Sequence, residues 1–413
     1  MEHFDVLIVG GGHAGVALVS QLRKSGYRGR IGVLEAQPHL PYERPPLSKG
    51  YMVGEVSESE LLLRQPDYWL NGAAELRVGV SVTKVDPAAH AVSTDRGETV
   101  RYGALIWATG AAARTLAMPG ADASNVVSVR HLDDALRLSA LARDARHAVL
   151  IGGGYIGLET ASTLVKLGLQ VTVLEAADRL LARVAGPALA AHLQRAHEEH
   201  GARLVVNAKI AGIETEGGHA TAVILDDGER LPADVVVVGV GVSPRIQVLE
   251  AAGAATANGV IVDEACRTTL ADVYAIGDIA FQNNPYFLGG EGFRLESVPN
   301  VTEHARFVAA DLLGQPLPER GVPWFWSSQY EVKLQTAGIL TGFDEEVVRE
   351  DRDGTIVVGY FREGALLAAD TIGAPKEFNA VKTMLSRGVG ITPEEFADLD
   401  VPLLERLRPV AAR

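Results

Sequence analysis

Two stretches of this chain are near-copies of each other, and the copied device fits few folds. Residues 6–15 read VLIVGGGHAG and residues 148–157 read AVLIGGGYIG. In each, an apolar run of strand type enters three consecutive glycines, and a helical pattern follows. The glycines fit G-x-G-x-x-G as Gly10, Gly12 and Gly15, and again as Gly152, Gly154 and Gly157. The first position permits a tight turn, the second lets a pyrophosphate approach the backbone, and the third lets helix pack on strand. The helix start then offers free N–H groups and a positive dipole to phosphate. Ala14 in the first turn, and Tyr155 with Ile156 in the second, occupy the variable positions beside the phosphate path.

Each copy also carries an acid at the end of the next strand. Glu35 follows Ile31-Gly32-Val33-Leu34, 20 residues after Gly15, and Glu175 follows Val171-Thr172-Val173-Leu174, 18 residues after Gly157. A carboxylate there accepts hydrogen bonds from a ribose 2′-OH. Strand, glycines, helix, strand and acid, all twice, imply an α/β chain with two Rossmann-like dinucleotide-binding domains. Two such sites mean two adenine dinucleotides, most economically a tightly held, non-covalent FAD and an exchanging nicotinamide. Glu175 would repel a 2′-phosphate, and although Arg179 and Arg183 lie downstream, no basic residue replaces it. NADH is therefore expected over NADPH. Two further strands end in turn signatures, Ala108-Thr109-Gly110 and Gly277-Asp278. Gly241, in the glycine-rich end of the Val235–Val238 run, is a further nucleotide candidate.

Cysteine content removes several chemistries. Cys266 is alone among 413 residues. No internal disulfide, redox dithiol, or cysteine-based zinc or iron–sulfur site can form in one chain, and no metal ligand set is expected. Cys266 itself is expected to be a small buried side chain. Lys plus Arg number 38 against 52 for Asp plus Glu, a net charge of −14, which disfavours nucleic-acid binding. No apolar run approaches the roughly 20 residues of a membrane helix, and the N-terminus enters a strand without a basic leader. These features point to a cytoplasmic protein without membrane contact.

Together these motifs resemble the two-dinucleotide flavoprotein reductases of the glutathione-reductase type. The disulfide branch of that family carries its cysteine pair where this chain reads Tyr42-Glu43-Arg44-Pro45-Pro46-Leu47-Ser48-Lys49. The single-cysteine oxidases use the same region, so Cys266 cannot take that role. The chain is more similar to the NADH-dependent ferredoxin reductases of bacterial oxygenase and cytochrome P450 systems. The matching segments are Arg44 to Lys49, Gly154-Tyr-Ile-Gly-Leu-Glu159, Glu296-Ser-Val-Pro-Asn300 and Trp324-Phe-Trp326-Ser-Ser-Gln-Tyr330. One departure is Ser328, where the family usually has Asp, so a contact made by that carboxylate is in question. The resemblance implies an FAD domain over 1–113 and 244–322, a nicotinamide domain over 114–243, and an α+β C-terminal domain over 323–413.

The resemblance also assigns roles. Lys49 would stabilise reduced flavin, with Arg44 and Pro45 along the ring edge. Glu159 would bind the nicotinamide carboxamide or sit beside Lys49, and Trp326 would lie near the two rings. Asp278 would bond the ribityl chain, and Val298 would start a helix whose dipole faces the flavin pyrimidine. Val82 and Arg130 would contact the adenine and phosphate side. Without the resemblance, Lys49 reads as a solvated lysine, Glu159 as an exposed helical acid, and the tryptophans as core. The implied partner is a [2Fe–2S] ferredoxin serving a P450 or ring-hydroxylating oxygenase, met by a local basic patch for which Arg306, Lys333 and Lys376 are candidates. Rubredoxin reductase, NADH oxidase and a redox-sensing flavoprotein like apoptosis-inducing factor are the alternatives. A monomer or weak dimer is expected.

Overall fold

The computed structural model describes residues 2–290, 292–350 and 354–407; residues 408–413 of the expected C-terminal domain lie outside the described residues. The chain divides into two compact units. One comprises Met1–Glu43, Glu58–Ala112 and Ser243–Pro323, the other Arg44–Ser57, Ala113–Val242 and Trp324–Arg413. Residues 44–57, counted above with the first domain, thus fall in the second unit, and so does the C-terminal segment. The reason is apolar. Met52, Val127, Leu150, Leu158, Val332, Leu334 and Tyr360 share one buried cluster, so removing either the short segment or the C-terminal sheet would expose it.

In the first unit, parallel strands run in the order Glu75–Val78, Ile31–Glu35, Glu2–Val9 and Thr99–Trp107. Val273–Ala275 adds in parallel to the last of these, and the hairpin Val82–Asp86 and Ala91–Thr94 adds antiparallel. Both faces are covered. Val6 and Ile8 enter one apolar cluster with Leu18, Leu22 and Val308. Leu7 and Val9 enter another with Val92, Val260 and Ile279. Two covered faces explain why these strands read as continuous apolar runs without alternation.

In the second unit, five parallel strands run in the order Arg203–Val205, Gln170–Leu174, His147–Ile151, Val235–Val238 and Val126–Val127. An antiparallel three-stranded sheet, Ile210–Glu216, His219–Leu225 and Arg230–Pro232, covers one face through Val149, Val223 and Val236. A five-stranded antiparallel sheet, in the order Trp324–Gln329, Val332–Gly338, Ala365–Ile372, Ile356–Arg362 and Glu345–Glu350, belongs to the same unit with helix Pro375–Arg387. The architecture is α/β with two dinucleotide-type sheets and a C-terminal α+β layer, as the sequence implies. Among the described residues no helix is long and apolar enough to cross a membrane.

Candidate functional site

The two glycine turns close in the same way. Gly10 has φ +110°, and a Cβ there would lie 2.4 Å from the Ala108 carbonyl oxygen. A Cβ on Gly15 would lie 2.1 Å from the Gly10 carbonyl oxygen. In the second copy, Gly152 has φ +114° and its Cβ would meet the Gly239 carbonyl oxygen at 2.4 Å, while that of Gly157 would meet the Gly152 oxygen at 2.2 Å. The first and third glycines are therefore demanded by backbone packing alone. Gly154 is different, because a Cβ there meets nothing within 4 Å. That open space in front of a helix start is what a pyrophosphate cradle needs. The helices His13–Lys24 and Tyr155–Lys166 start at Gly12 and Gly154 with no side-chain cap and no acid in the first turn. Each helix start directs backbone N–H groups and the positive end of its dipole toward the glycine turn, the arrangement that suits phosphate oxygens. The residues present fit two dinucleotides.

Both acids are held by the glycine that the motif leaves unspecified. Gly11 N–H donates to Glu35 Oε2 at 2.6 Å, and Gly153 N–H donates to Glu175 Oε2 at 2.7 Å. The other oxygen of each accepts from the backbone two residues on, Gln37 N–H and Ala177 N–H, both at 2.8 Å. Gln37 Nε2 also reaches Glu35 Oε1 at 3.5 Å, so Glu35 keeps a lone pair on Oε2, and Glu175 one on each oxygen, for a ribose hydroxyl. The middle glycines were passed over above; the run of three, rather than G-x-G, is the signal that marks them. Of the two downstream arginines, Arg179 spends its guanidinium on the carbonyls of Leu180, Ala182 and Ala185, and Arg183 is exposed.

Around the first cradle, Ala14, the Gly277–Asp278 turn and the helix Val298–Leu312 converge. A Cβ on Gly277 would start 3.2 Å from Ala14 Cβ and 3.5 Å from Val301 Cγ2. Gly277 N–H donates to His304 Nδ1 at 3.0 Å. His304 is buried, and burial pushes its pKa down to about 3, so it is neutral. Thr109 Oγ1 and Trp107 Nε1 both donate to the Arg245 carbonyl, each at 3.2 Å; Gly110 has φ +61°. Val298 follows the cap Ser297, whose Oγ accepts from Asn300 N–H. Val82 opens its strand, packed against the second of the two clusters. Cys266 is fully buried with its thiol pKa pushed up by burial.

The second unit holds a polar cluster under its own cradle. Tyr155, Glu159 and Thr163 recur every four residues, so they share one face of helix Tyr155–Lys166. That face docks two segments. Ser48 and Lys49, at the end of the Pro45–Ser48 turn, form one side. Lys49 Nζ lies 2.8 Å from Glu159 Oε1, Ser48 Oγ donates to Glu159 Oε2 at 2.9 Å, and Thr163 Oγ1 donates to the Ser48 carbonyl at 2.7 Å. Strand Trp324–Gln329 forms the other. Ser327 Oγ donates to Glu159 Oε1 at 2.6 Å, and the Phe325 ring meets Tyr155 edge-on at 4.7 Å. Glu159 is 6% exposed, which overturns its reading as an exposed helical acid.

Side-chain alternation puts Trp324 and Trp326 on the opposite side of this strand from Phe325 and Ser327. Trp324 packs on Trp326 at 5.6 Å and on Phe378 of helix Pro375–Arg387. The structure thus brings Ser327 to Glu159, a residue passed over above, and leaves Trp326 half-buried beside Trp324. Arg44 precedes the Pro45–Ser48 turn, and Arg130 precedes helix Leu132–Ala142, its backbone N–H donating to Asp134. Gly241 has φ +102°, and its carbonyl accepts from Arg114 N–H. Ile156 is 44% exposed at the helix start. Arg306, Lys333 and Lys376 are all exposed, Arg306 in the first unit and the lysines in the second.

These features have counterparts of known sequence. The pattern of the pyridine nucleotide-disulphide oxidoreductases matches residues 4–306, and that of the reductase C-terminal domain matches residues 324–407. The 5,5′-dehydrodivanillate O-demethylase ferredoxin reductase subunit of Sphingobium sp. is 43% identical, covering 98% of both chains. The solved covalent putidaredoxin reductase–putidaredoxin complex matches with a TM-score of 0.94 at 35% identity, covering 98% of each chain. A ferredoxin reductase for the CYP199A2 system from Rhodopseudomonas palustris matches with a TM-score of 0.93 at 37% identity, covering 97% of this chain and 99% of its own. The chain belongs to the pyridine nucleotide-disulphide oxidoreductase family and, within it, to the ferredoxin reductases.

Proposed function

We propose that this protein takes hydride from NADH on a non-covalently held FAD and passes electrons singly to a [2Fe–2S] ferredoxin serving a cytochrome P450 or ring-hydroxylating oxygenase. The observation that carries this is the duplicated cradle, the second copy followed on its own helix by the buried Lys49–Glu159 pair, in a chain whose single thiol is buried. Bound flavin supplies the step between a two-electron donor and a one-electron acceptor. The protein residues supply placement and charge. Gly10, Gly12, Gly15, Glu35, Asp278 and the N-terminus of the Val298 helix are assigned to FAD. Gly152, Gly154, Gly157, Glu175 and Gly241 are assigned to NADH. Glu159 keeps an unused lone pair on Oε2 for a carboxamide N–H. Lys49, anchored by that carboxylate, supplies the cation that favours reduced flavin. No thiol relay takes part.

The test is anaerobic stopped-flow mixing of purified yellow protein with NADH, followed by ferredoxin. Fast bleaching of the flavin band and its recovery on ferredoxin are expected. Protein that stays colourless after reconstitution with FAD would sink the reading. Faster recovery with rubredoxin or oxygen would reassign the acceptor. Acid precipitation is expected to release the flavin into the supernatant, and sedimentation to give a monomer or weak dimer.

A further inference from the structure

Glu159 is the end of a longer chain of buried groups. Ser327 Oγ donates to it at 2.6 Å, and Gln329 Nε2 donates to Ser327 Oγ at 3.2 Å. Gln329 Oε1 faces His197 Nε2 at 2.9 Å, and the Tyr330 hydroxyl faces His197 Nδ1 at 3.2 Å. Ser327, Gln329 and His197 are 1%, 2% and 0% exposed. Outside them, His200 stacks on the Tyr330 ring at 3.8 Å and reaches Glu331 at 3.4 Å.

The direction of every bond follows from one charge. Glu159 is the carboxylate partner of the Lys49 ion pair, and a carboxylate only accepts. Ser327 must therefore spend its single proton on Glu159, and its oxygen must accept from Gln329. The amide nitrogen then faces Ser327, and the amide oxygen, also acceptor-only, faces His197. His197 Nε2 must carry a proton. Burial lowers the His197 pKa, with Gln329 opposing and His200 assisting, so the ring is neutral and Nδ1 is bare. Tyr330 must donate to it. Four hydrogen bonds all point toward one carboxylate. The charged or titratable groups facing this chain are Lys49 and Tyr155 at the Glu159 end, and Tyr330, His200 and Glu331 at the other.

We propose that Ser327, Gln329 and His197 are positioning residues, a one-way hydrogen-bond chain from Tyr330 that orients the Glu159 carboxylate for the nicotinamide. This rests on the role given to Glu159 under Proposed function. The chain aligns dipoles and does not conduct protons, since an amide interrupts proton hopping. An oriented donor set of this kind lowers the reorganisation needed when substrate arrives.

The test reads the His197 tautomer in the holoenzyme by long-range ¹⁵N–¹H NMR, with the signal assigned by its loss in His197→Phe. The neutral Nε2–H tautomer at pH 7 is expected. A neutral Nδ1–H ring or an imidazolium overturns the proposal, whatever the enzyme does with NADH. Ser327→Ala is expected to slow flavin reduction by NADH about tenfold with little change in NADH affinity, and to mix the His197 tautomers. Ser327→Thr, which keeps the hydroxyl, is expected to restore both. Unchanged tautomer and rate in Ser327→Ala, at unchanged melting temperature and flavin content, overturn the proposal. Failure of the wild-type protein to oxidise NADH, with the tautomer as expected, would instead fault the functional reading.

Discussion

Lys49 and Glu159 are joined by a 2.8 Å ion pair between the end of a short turn and the buried face of a helix that starts at the second glycine cradle. The pair is 20% and 7% exposed at its side chains. Glu159 also holds Ser48 and Ser327, so three segments distant in sequence meet on one carboxylate.

Removing one partner leaves the other charge with no counter-ion. Lys49→Met is expected to destabilise the protein by about 3–5 kcal/mol, read by urea unfolding of the holoenzyme. The double variant Lys49→Met/Glu159→Gln should recover part of that loss. A loss in the double variant equal to the sum of the losses in Lys49→Met and Glu159→Gln alone would mean the pair is not coupled.

The glycines of the second cradle separate folding from binding. Gly157→Ala forces a Cβ to 2.2 Å from the Gly152 oxygen and should lower the melting temperature. Gly154→Ala meets no protein atom and should fold normally, yet raise the KM for NADH about tenfold or more by displacing the pyrophosphate. Equal melting losses in both would contradict the division.

Coenzyme choice is expected to follow Glu175. Glu175→Ala should reduce the ratio of kcat/KM for NADH over NADPH, because the repulsive carboxylate is gone. The variant also frees the N–H groups of Gly153 and Ala177, so a modest fall in stability should accompany it. A preference for NADPH in the unaltered protein would refute the reading of this acid.

Asp370 gives a pH-dependent term. It is 1% exposed, accepts from Thr336 and from Tyr360 at 2.5 Å, and burial pushes its pKa up to about 6. Between pH 4 and 6 the folded state keeps a proton that the unfolded chain has released, so this group's contribution falls as pH rises through that window. The span from 3.8 to about 6 corresponds to about 3 kcal/mol. The stability difference between the unaltered protein and Asp370→Asn should therefore shift in favour of Asn by most of that amount, about 2 kcal/mol, from pH 4 to 7. A flat difference would show that the carboxyl is not buried as described.

Charge reversal at exposed Arg306, Lys333 or Lys376 should slow ferredoxin reduction, with a steeper effect at low salt, while NADH–ferricyanide activity survives. Loss of both activities together would indicate misfolding.

The sequence alone determined the two cradles, their acids, the parallel sheets that carry them and the absence of a thiol pair. The last follows from a count of one cysteine, and the others rest on local spacing: a glycine in the left-handed region, a helix start, or an apolar run covered on both faces. Only the tertiary structure decided that Ser327 and not Trp326 reaches Glu159, that Glu159 is buried with three donors, and that residues 44–57 and the C-terminal sheet share a core with the second cradle. The physical reason is distance along the chain. Ser48 and Ser327 lie 111 and 168 residues from Glu159, and only the packing of helix, turn and strand around shared apolar side chains brings their hydroxyls to one carboxylate.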